Sequence, residues 1–385
     1  MRKHYDVVIV GGGIQGLSLA YYLARDSSQR VVVFEKGYLG SGASGRNGEM
    51  IRSAFGSRQW IGLWNKSLQL WENLAAELGF NVMFTRHGYI ILATKLEEFD
   101  ALKQNQKTQR ELGLTTTLLD AEEVMRLIPA MNPEVIAGGL LQAQGGFARH
   151  DAAIWGYAQA ARRLGVDIFP STEVMDIGIK SGRVQSVKTS GGEVETRTVV
   201  NTAGAHDQRI SKMAGIELPT EAHRIEIMVT EPIKPFLAKA VSAPGLLCYM
   251  HQSARGEFIG GAEKDDFVPS TSMKNSLGTT CAIAGKYIRI FPQLAGVRMM
   301  RQWTGLVSQT PDHAPIIGPV PEIEGFILSV AWGGYGFMGG PGGGKALSEY
   351  IITGDVPPEI RPFNADRFET GKLVIEPAII RKEHG

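Results

Sequence analysis

Three glycines, Gly11, Gly13 and Gly16, follow an apolar run over residues 7–10 and open a helical pattern over 15–23. Their G-x-G-x-x-G spacing lets backbone approach a pyrophosphate closely, and the unpaired N–H groups of a first helical turn point at it. Glu35 ends a second apolar run, 31–34, about 20 residues on, where a carboxylate accepts hydrogen bonds from a ribose hydroxyl. Strand, glycine turn, helix and acid together read as a dinucleotide site. The bland alternative is a tight turn without a ligand. The motif by itself leaves NAD and FAD both open.

These residues need elements to position them. The chain has 47 glycines, clustered over 11–16, 37–48, 138–146 and 333–344. The first, second and last clusters are too dense for packing alone and suggest backbone lying against a long ligand. Between them, Trp60, Leu63, Trp64, Ser67, Leu68, Trp71, Leu74 and Leu78 share one face of a helix over 60–78, as core residues. A strand is expected over 89–93, with helices over 96–112 and 121–127, the latter opened by a capping box of Asp120 and Glu123. A helix over 151–164 has Asp151 as expected N-cap and Gly165 as C-cap. A strand over 166–169 and a hairpin of 172–180 with 183–189 follow. Residues 199–201 then lead into a second glycine turn, Thr202-Ala203-Gly204-Ala205. Residues 216–304 are strand-rich with one helix, 279–290. The final third returns to glycine-rich turns and a helix over 344–352.

The length of 385 residues favours two domains. With 43% hydrophobic and 21% charged residues the composition is that of an ordinary soluble globular protein. The net charge of +1 gives no reason to expect nucleic acid or an anionic membrane as partner. Cys248 and Cys281 have neither metal nor C-x-x-C spacing, which favours a reducing cytoplasm. Asp6 and the three glycines break the apolar start, so no signal peptide is expected, and no run is long enough for a membrane span. The order of elements implies a discontinuous nucleotide domain from residues 1–82, 145–215 and 305–385. Residues 83–144 and 216–304 are expected to form the substrate domain.

The segments YDVVIVGGGIQG, VFEKGYLGSGASGRNG, HDAAIWGYA, VVNTAGA, WTGLVSQTPDHAPIIG, WGGYGFMGGPGGG and RFETGKL occur in this order. Together they resemble the FAD-dependent amine oxidoreductases of the D-amino-acid oxidase superfamily. Within it, the chain is most similar to the β-subunit group of heterotetrameric sarcosine oxidases and of dye-linked proline, opine and hydroxyproline dehydrogenases. The resemblance covers essentially the whole chain. It implies an α/β fold, in which a discontinuous Rossmann-like FAD domain meets an antiparallel substrate sheet.

The resemblance also implies roles. Gly11, Gly13 and Gly16 face the pyrophosphate, with Glu35 on the ribose and Lys36 nearby. Ser44, Arg46 and Asn47 run along the pyrophosphate towards the ring, and Val174 meets the adenine. Gly336, Phe337 and Met338 lie under the pyrimidine side of the ring, where N–H donors stabilise the charge of the reduced cofactor. Ile14, Met50 and Gly204 complete the cofactor-facing set. Arg52 pairs with a substrate carboxylate through its planar fork.

Three positions depart from relatives in the family. Met338 stands where sarcosine oxidases carry a lysine, which weakens sarcosine as substrate and raises a bulkier secondary amino acid such as proline, hydroxyproline or an opine. Glu49 replaces an arginine of monomeric relatives. Gly305 replaces their flavin-linking cysteine, implying non-covalent FAD. His150 matches a histidine bonded to a second flavin, FMN, at the interface with an α subunit; the bland reading is a histidine hydrogen-bonded at a helix end. The remaining histidines, including His206 and His251, read as structural or surface residues.

The expected activity is therefore oxidation of a secondary amino acid by hydride transfer to FAD, with electrons passing on to FMN and with an α subunit as partner. A glycine- or D-amino-acid-oxidising flavoenzyme, and a flavin-binding scaffold subunit without turnover, are the alternatives.

Overall fold

The computed structural model describes residues 1–262 and 268–378. Residues 263–267 of the expected substrate domain and 379–385 of the expected FAD domain lie outside the described residues. Around the N-terminal motif a six-stranded sheet forms in the order Ile316–Pro319, Phe326–Val330, Thr198–Asn201, Val7–Val10, Val31–Phe34, Asp167–Phe169. All pairs are parallel except the first. The central strands VVIV and VVVF are buried at every position, the pattern of a sheet covered on both faces.

Alternate residues serve different cores. Val7, Ile9, Val31 and Val33 pack on the face carrying the helices Ile14–Asp26 and Gly336–Thr353. Val8, Val10, Val32 and Phe34 pack on a three-stranded sheet of Val174–Lys180, Arg183–Thr189 and Gly192–Glu195. Strands of the six-stranded sheet thus come from three separated stretches of chain.

An eight-stranded sheet stands beside it, in the order Met299–Gln309, Glu221–Thr230, Phe258–Ala262, Cys248–Gln252, Ala240–Ala243, Tyr89–Ala93, Gly138–Gln142, Thr116–Asp120. The sheet expected to be antiparallel has one parallel pair, Ala240–Ala243 with Tyr89–Ala93. These two strands belong to the two different insertions, and each takes its direction from its own antiparallel partner. The strand Met299–Gln309 runs straight through residue 305. Among the described residues no helix is long and apolar enough to cross a membrane.

Two local expectations are corrected. The run Gly339–Gly344, read as turn, is helical, and the expected helix over 344–352 is the later part of Gly336–Thr353. The glycines serve close helix packing: a Cβ at Gly340 would meet Ile14 at 2.5 Å, one at Gly343 would meet Trp332 at 2.6 Å, and one at Gly342 would meet Ser67 at 2.8 Å. Pro341 removes one ladder donor. Ser67 Oγ inserts at the next, donating to Met338 O at 2.6 Å and accepting from Gly342 N at 3.1 Å. Tertiary contacts supply what the glycine-rich sequence lacks in helix propensity.

The second correction concerns residue 151. The helix is His150–Arg163, with Arg149 at the N-cap and Leu164 at the C-cap. Asp151 lies inside the first turn, and the N–H of His150 donates to Glu49 Oε1 from another segment. By contrast, the Asp120–Glu123 capping box forms as expected.

The RFETGKL segment has a structural use. Arg367 makes a bidentate pair with Asp312, at 2.8 and 3.0 Å, and both side chains are almost fully buried. The remaining guanidinium N–H groups donate to the carbonyls of Phe363, Asn364 and Ala314. Burial pushes the Asp312 carboxyl up, but the guanidinium, with the Val374 N–H and the Thr310 hydroxyl, outweighs it and the net displacement is downward.

Candidate active site

One cavity of about 1540 Å³ lies between the two large sheets and runs from the first βα turn to the eight-stranded sheet. One end is the glycine turn. Gly11 has φ +118°, and a Cβ there would meet the carbonyl of Thr202 at 2.5 Å. Only glycine fits both demands. Gly13 and Ile14 face the cavity, and Ile14 N donates to Ser44 Oγ at 3.0 Å, so the 41–48 loop takes one N–H of the first helical turn. Gly16 lies behind them against Thr202 and Ile9 and is a packing glycine, outside the cavity lining.

Glu35 is buried at the end of its strand. Its carboxylate accepts from Gly12 N at 2.8 Å, Gly37 N at 2.7 Å and Ser41 Oγ at 3.1 Å. A carboxylate offers about four acceptor sites, so capacity for a ribose hydroxyl remains. Val174, Gly204 and Lys36 line the same end, with Lys36 Nζ 2.8 Å from His206 Nε2. Burial lowers the His206 pKa, and the neighbouring Lys36 and Arg209 charges push the same way.

Further along, Arg46 and Asn47 face the cavity but are also held by their own loop. Arg46 Nε donates to Ser41 O at 3.0 Å; the Asn47 amide donates to Ser44 O and accepts from Glu49 N. Met50 follows in a two-residue strand paired with Gly146–Phe147. Gly305 lines the cavity and packs against Arg46. Gly336, Phe337 and Met338 form the first turn of the glycine-rich helix, whose start has no side-chain cap. Their N–H groups have no partner within the helix. The cradle that a Cβ would fill, the acceptor at Glu35 and this uncapped helix start fit an extended flavin dinucleotide.

Arg52 lines the cavity beside Tyr89 of the eight-stranded sheet and is 6% exposed. One guanidinium nitrogen donates to Ala54 O at 2.8 Å. The fork lies against aromatic faces, 4.0 Å from the ring centre of Phe55, 5.6 Å from that of Tyr89 and 5.9 Å from that of Tyr335. Behind this box Trp60 and Trp64 stack at 4.1 Å, so the helical tryptophans are core, as their spacing suggested. The buried cation retains donors beyond its one bond to Ala54, in a form matched to a planar carboxylate.

Every proposed cofactor or substrate residue except Gly16 and His150 therefore meets in one cavity. His150 lines a separate groove of about 290 Å³ with Tyr38, Ile154, Trp155 and Pro170. The aromatic residues around Arg52 carried no sequence signal, because periodicity marks Phe55 and Tyr89 only as apolar. Glu49 and His251 were likewise missed as a unit. The Glu49 side chain is 2% exposed, and its carboxylate lies 2.9 Å from His150 Nδ1 and 3.6 Å from His251 Nε2. Burial pushes the Glu49 carboxyl up, but contact with the two imidazoles outweighs it and holds it at about 2. Among the described residues no group of three or more side chains could hold a metal ion.

Comparison with known proteins gives a consistent result. A family model described as FAD dependent oxidoreductase matches residues 6–350. The chain is 35% identical to the sarcosine oxidase subunit beta of Rhodobacter capsulatus, over 97% of this chain and 91% of that protein. It is 29% identical to the glycine oxidase of Geobacillus kaustophilus, over 98% of this chain and 100% of the other. Among solved structures, the L-proline dehydrogenase from P. horikoshii superposes with a TM-score of 0.93 at 28% identity, covering 97% of this chain and 100% of that one.

Proposed function

The chain belongs to the FAD-dependent oxidoreductase family, as an amine oxidoreductase of the sarcosine oxidase β type, and on that premise we propose that it is the catalytic subunit of an enzyme oxidising a secondary amino acid. The substrate class is an N-substituted or cyclic amino acid: sarcosine, proline, hydroxyproline or an opine. The observation that carries this reading is the buried Arg52 fork in its aromatic box on the cavity wall. FAD, when bound, supplies the acceptor for the hydride removed from the carbon next to nitrogen.

The chain's own residues do the rest by placement. Gly11, Gly13 and Glu35 hold the adenosine diphosphate end, and the uncapped start of the helix Gly336–Thr353 supplies N–H donors at the ring end. Arg52 binds the substrate carboxylate, and Phe55, Tyr89 and Tyr335 exclude water around it. Met338, 6% exposed, offers an apolar wall where a lysine would add a second cation. That favours a ring or a longer N-substituent over the small methyl of sarcosine. The product is an imine, which hydrolyses or cyclises after release. Gly305 offers no nucleophile, so FAD is held without a covalent bond.

His150, in its own groove, is the proposed contact for a second flavin, FMN, which takes electrons onward. A second subunit of the α type is the proposed partner to enclose this small groove. The relatives called subunit beta support that reading.

The test is anaerobic mixing of the purified yellow protein with an amine panel. Bleaching of the flavin absorbance by a secondary amino acid supports the reading. Bleaching by glycine or a D-amino acid alone shifts it to a glycine-oxidase type, and a full panel without bleaching leaves a flavin-binding scaffold.

A further inference from the structure

Glu49 stands at φ +67°, the left-handed region that is strained for a residue with a side chain. Its carboxylate is buried, and it is tied to one short stretch of another segment. The backbone carbonyl of Glu49 accepts from Ala148 N at 2.9 Å. Oε1 accepts from His150 N at 3.3 Å, lies 2.9 Å from His150 Nδ1 in a close contact that is out of line for a hydrogen bond, and lies 3.4 Å from Arg149 Nε. Oε2 lies 3.6 Å from Nε2 of His251, a ring stacked on Phe147 at 3.9 Å. Arg149 is shared with Asp151, so the charged and titratable groups facing the carboxylate are Arg149, His150 and His251, with Asp151 one step behind.

Glu49 also lines the large cavity, while His150 lines the separate groove. One buried anion therefore forms the wall between the two. A carboxylate beside Nδ1 of an imidazole favours the tautomer with its proton there and leaves the lone pair on Nε2.

We propose that Glu49 is a positioning residue that fixes His150 as the Nδ1–H tautomer and so offers Nε2 to the groove lined by Tyr38 and Trp155. The link from this nitrogen to a second flavin rests on the function proposed above. The strained backbone of Glu49 is what brings its carboxylate across to residue 150, and Arg149 and His251 keep it charged from the other sides.

The full chain with bound FAD, labelled with ¹⁵N at histidine, tests this by long-range ¹H–¹⁵N spectra at alkaline pH. A His150→Gln variant assigns the His150 signals. The expected wild-type spectrum shows protonated Nδ1 and unprotonated Nε2; an Nε2–H tautomer or an even mixture overturns the proposal. Glu49→Met removes the acceptor and is expected to abolish the preference and weaken binding of added FMN at least tenfold. Glu49→Gln keeps an acceptor oxygen and is expected to restore the tautomer. An unchanged tautomer in Glu49→Met overturns the proposal, and if that variant does not fold the wild-type spectrum decides alone. If the tautomer follows residue 49 but FMN does not bind the wild type, the positioning role stands and the second-flavin reading fails.

Discussion

The guanidinium of Arg52 lies 4.0 Å from the ring centre of Phe55, three positions further along the chain. Arg52 directly follows the strand Met50–Ile51, and the intervening turn is fixed where Gln142 Oε1 accepts from both Ser53 N and Ala54 N. A cation over an aromatic face in a water-poor site gains up to about 2 kcal/mol, so the side chain is poised before any substrate arrives.

From this arrangement, Arg52→Ala is expected to raise KM for the amino-acid substrate by about 2–4 kcal/mol, roughly 30- to 1000-fold. Arg52→Lys keeps the charge but loses the fork, and is expected to recover only part of that loss. Steady-state kinetics of the three proteins on one substrate check it; an unchanged KM in Arg52→Ala removes the assigned role.

Gly11→Ala is expected to abolish stable FAD retention. The added Cβ would meet the Thr202 carbonyl at 2.5 Å in a backbone conformation at φ +118°, which L residues rarely adopt. The flavin-to-protein absorbance ratio of purified material reads this directly. A variant that keeps a full complement of FAD contradicts the placement of the pyrophosphate at this turn.

Stability should respond to acid through Glu49. Its folded-state pKa is depressed from the ordinary 4.5 to about 2, so ionised Glu49 contributes stability that is complete above about pH 4.5 and lost as pH falls towards 2. Glu49→Gln is expected to flatten this limb of the stability profile. Urea midpoints of both proteins between pH 6 and 2 test it: parallel profiles contradict the buried, charge-held carboxylate.

Arg367→Met leaves Asp312 buried with its strongest partner gone. Breaking a buried pair from one side costs about 3–5 kcal/mol. The urea midpoint should fall accordingly, and the double variant Arg367→Met with Asp312→Asn should recover part of the loss, since no lone charge remains. A single variant within about 0.5 kcal/mol of the wild type would be at odds with the burial of the pair.

Much of the scaffold was legible in the chain. The all-buried runs 7–10 and 31–34, the Asp120–Glu123 box and the tryptophan face over 60–78 are local patterns, and local patterns survive folding when tertiary packing agrees with them. The glycine run over 339–344 was not legible, because its helical state depends on Ile14, Ser67 and Trp332 from elsewhere in the chain. Asp151 looked like an N-cap for the same reason: the group that caps that helix, Glu49, lies far away in sequence.

By itself, the sequence determined the nucleotide turn, since glycine spacing and a following acid are constraints within one short stretch, and it carried the family in the order of seven motif segments along the whole chain. Tertiary structure alone decided that Phe55, Tyr89 and Tyr335 enclose Arg52, and that Glu49 joins His150 and His251. A buried charge is positioned by neighbours brought from several segments, and spacing along one chain carries no record of that meeting.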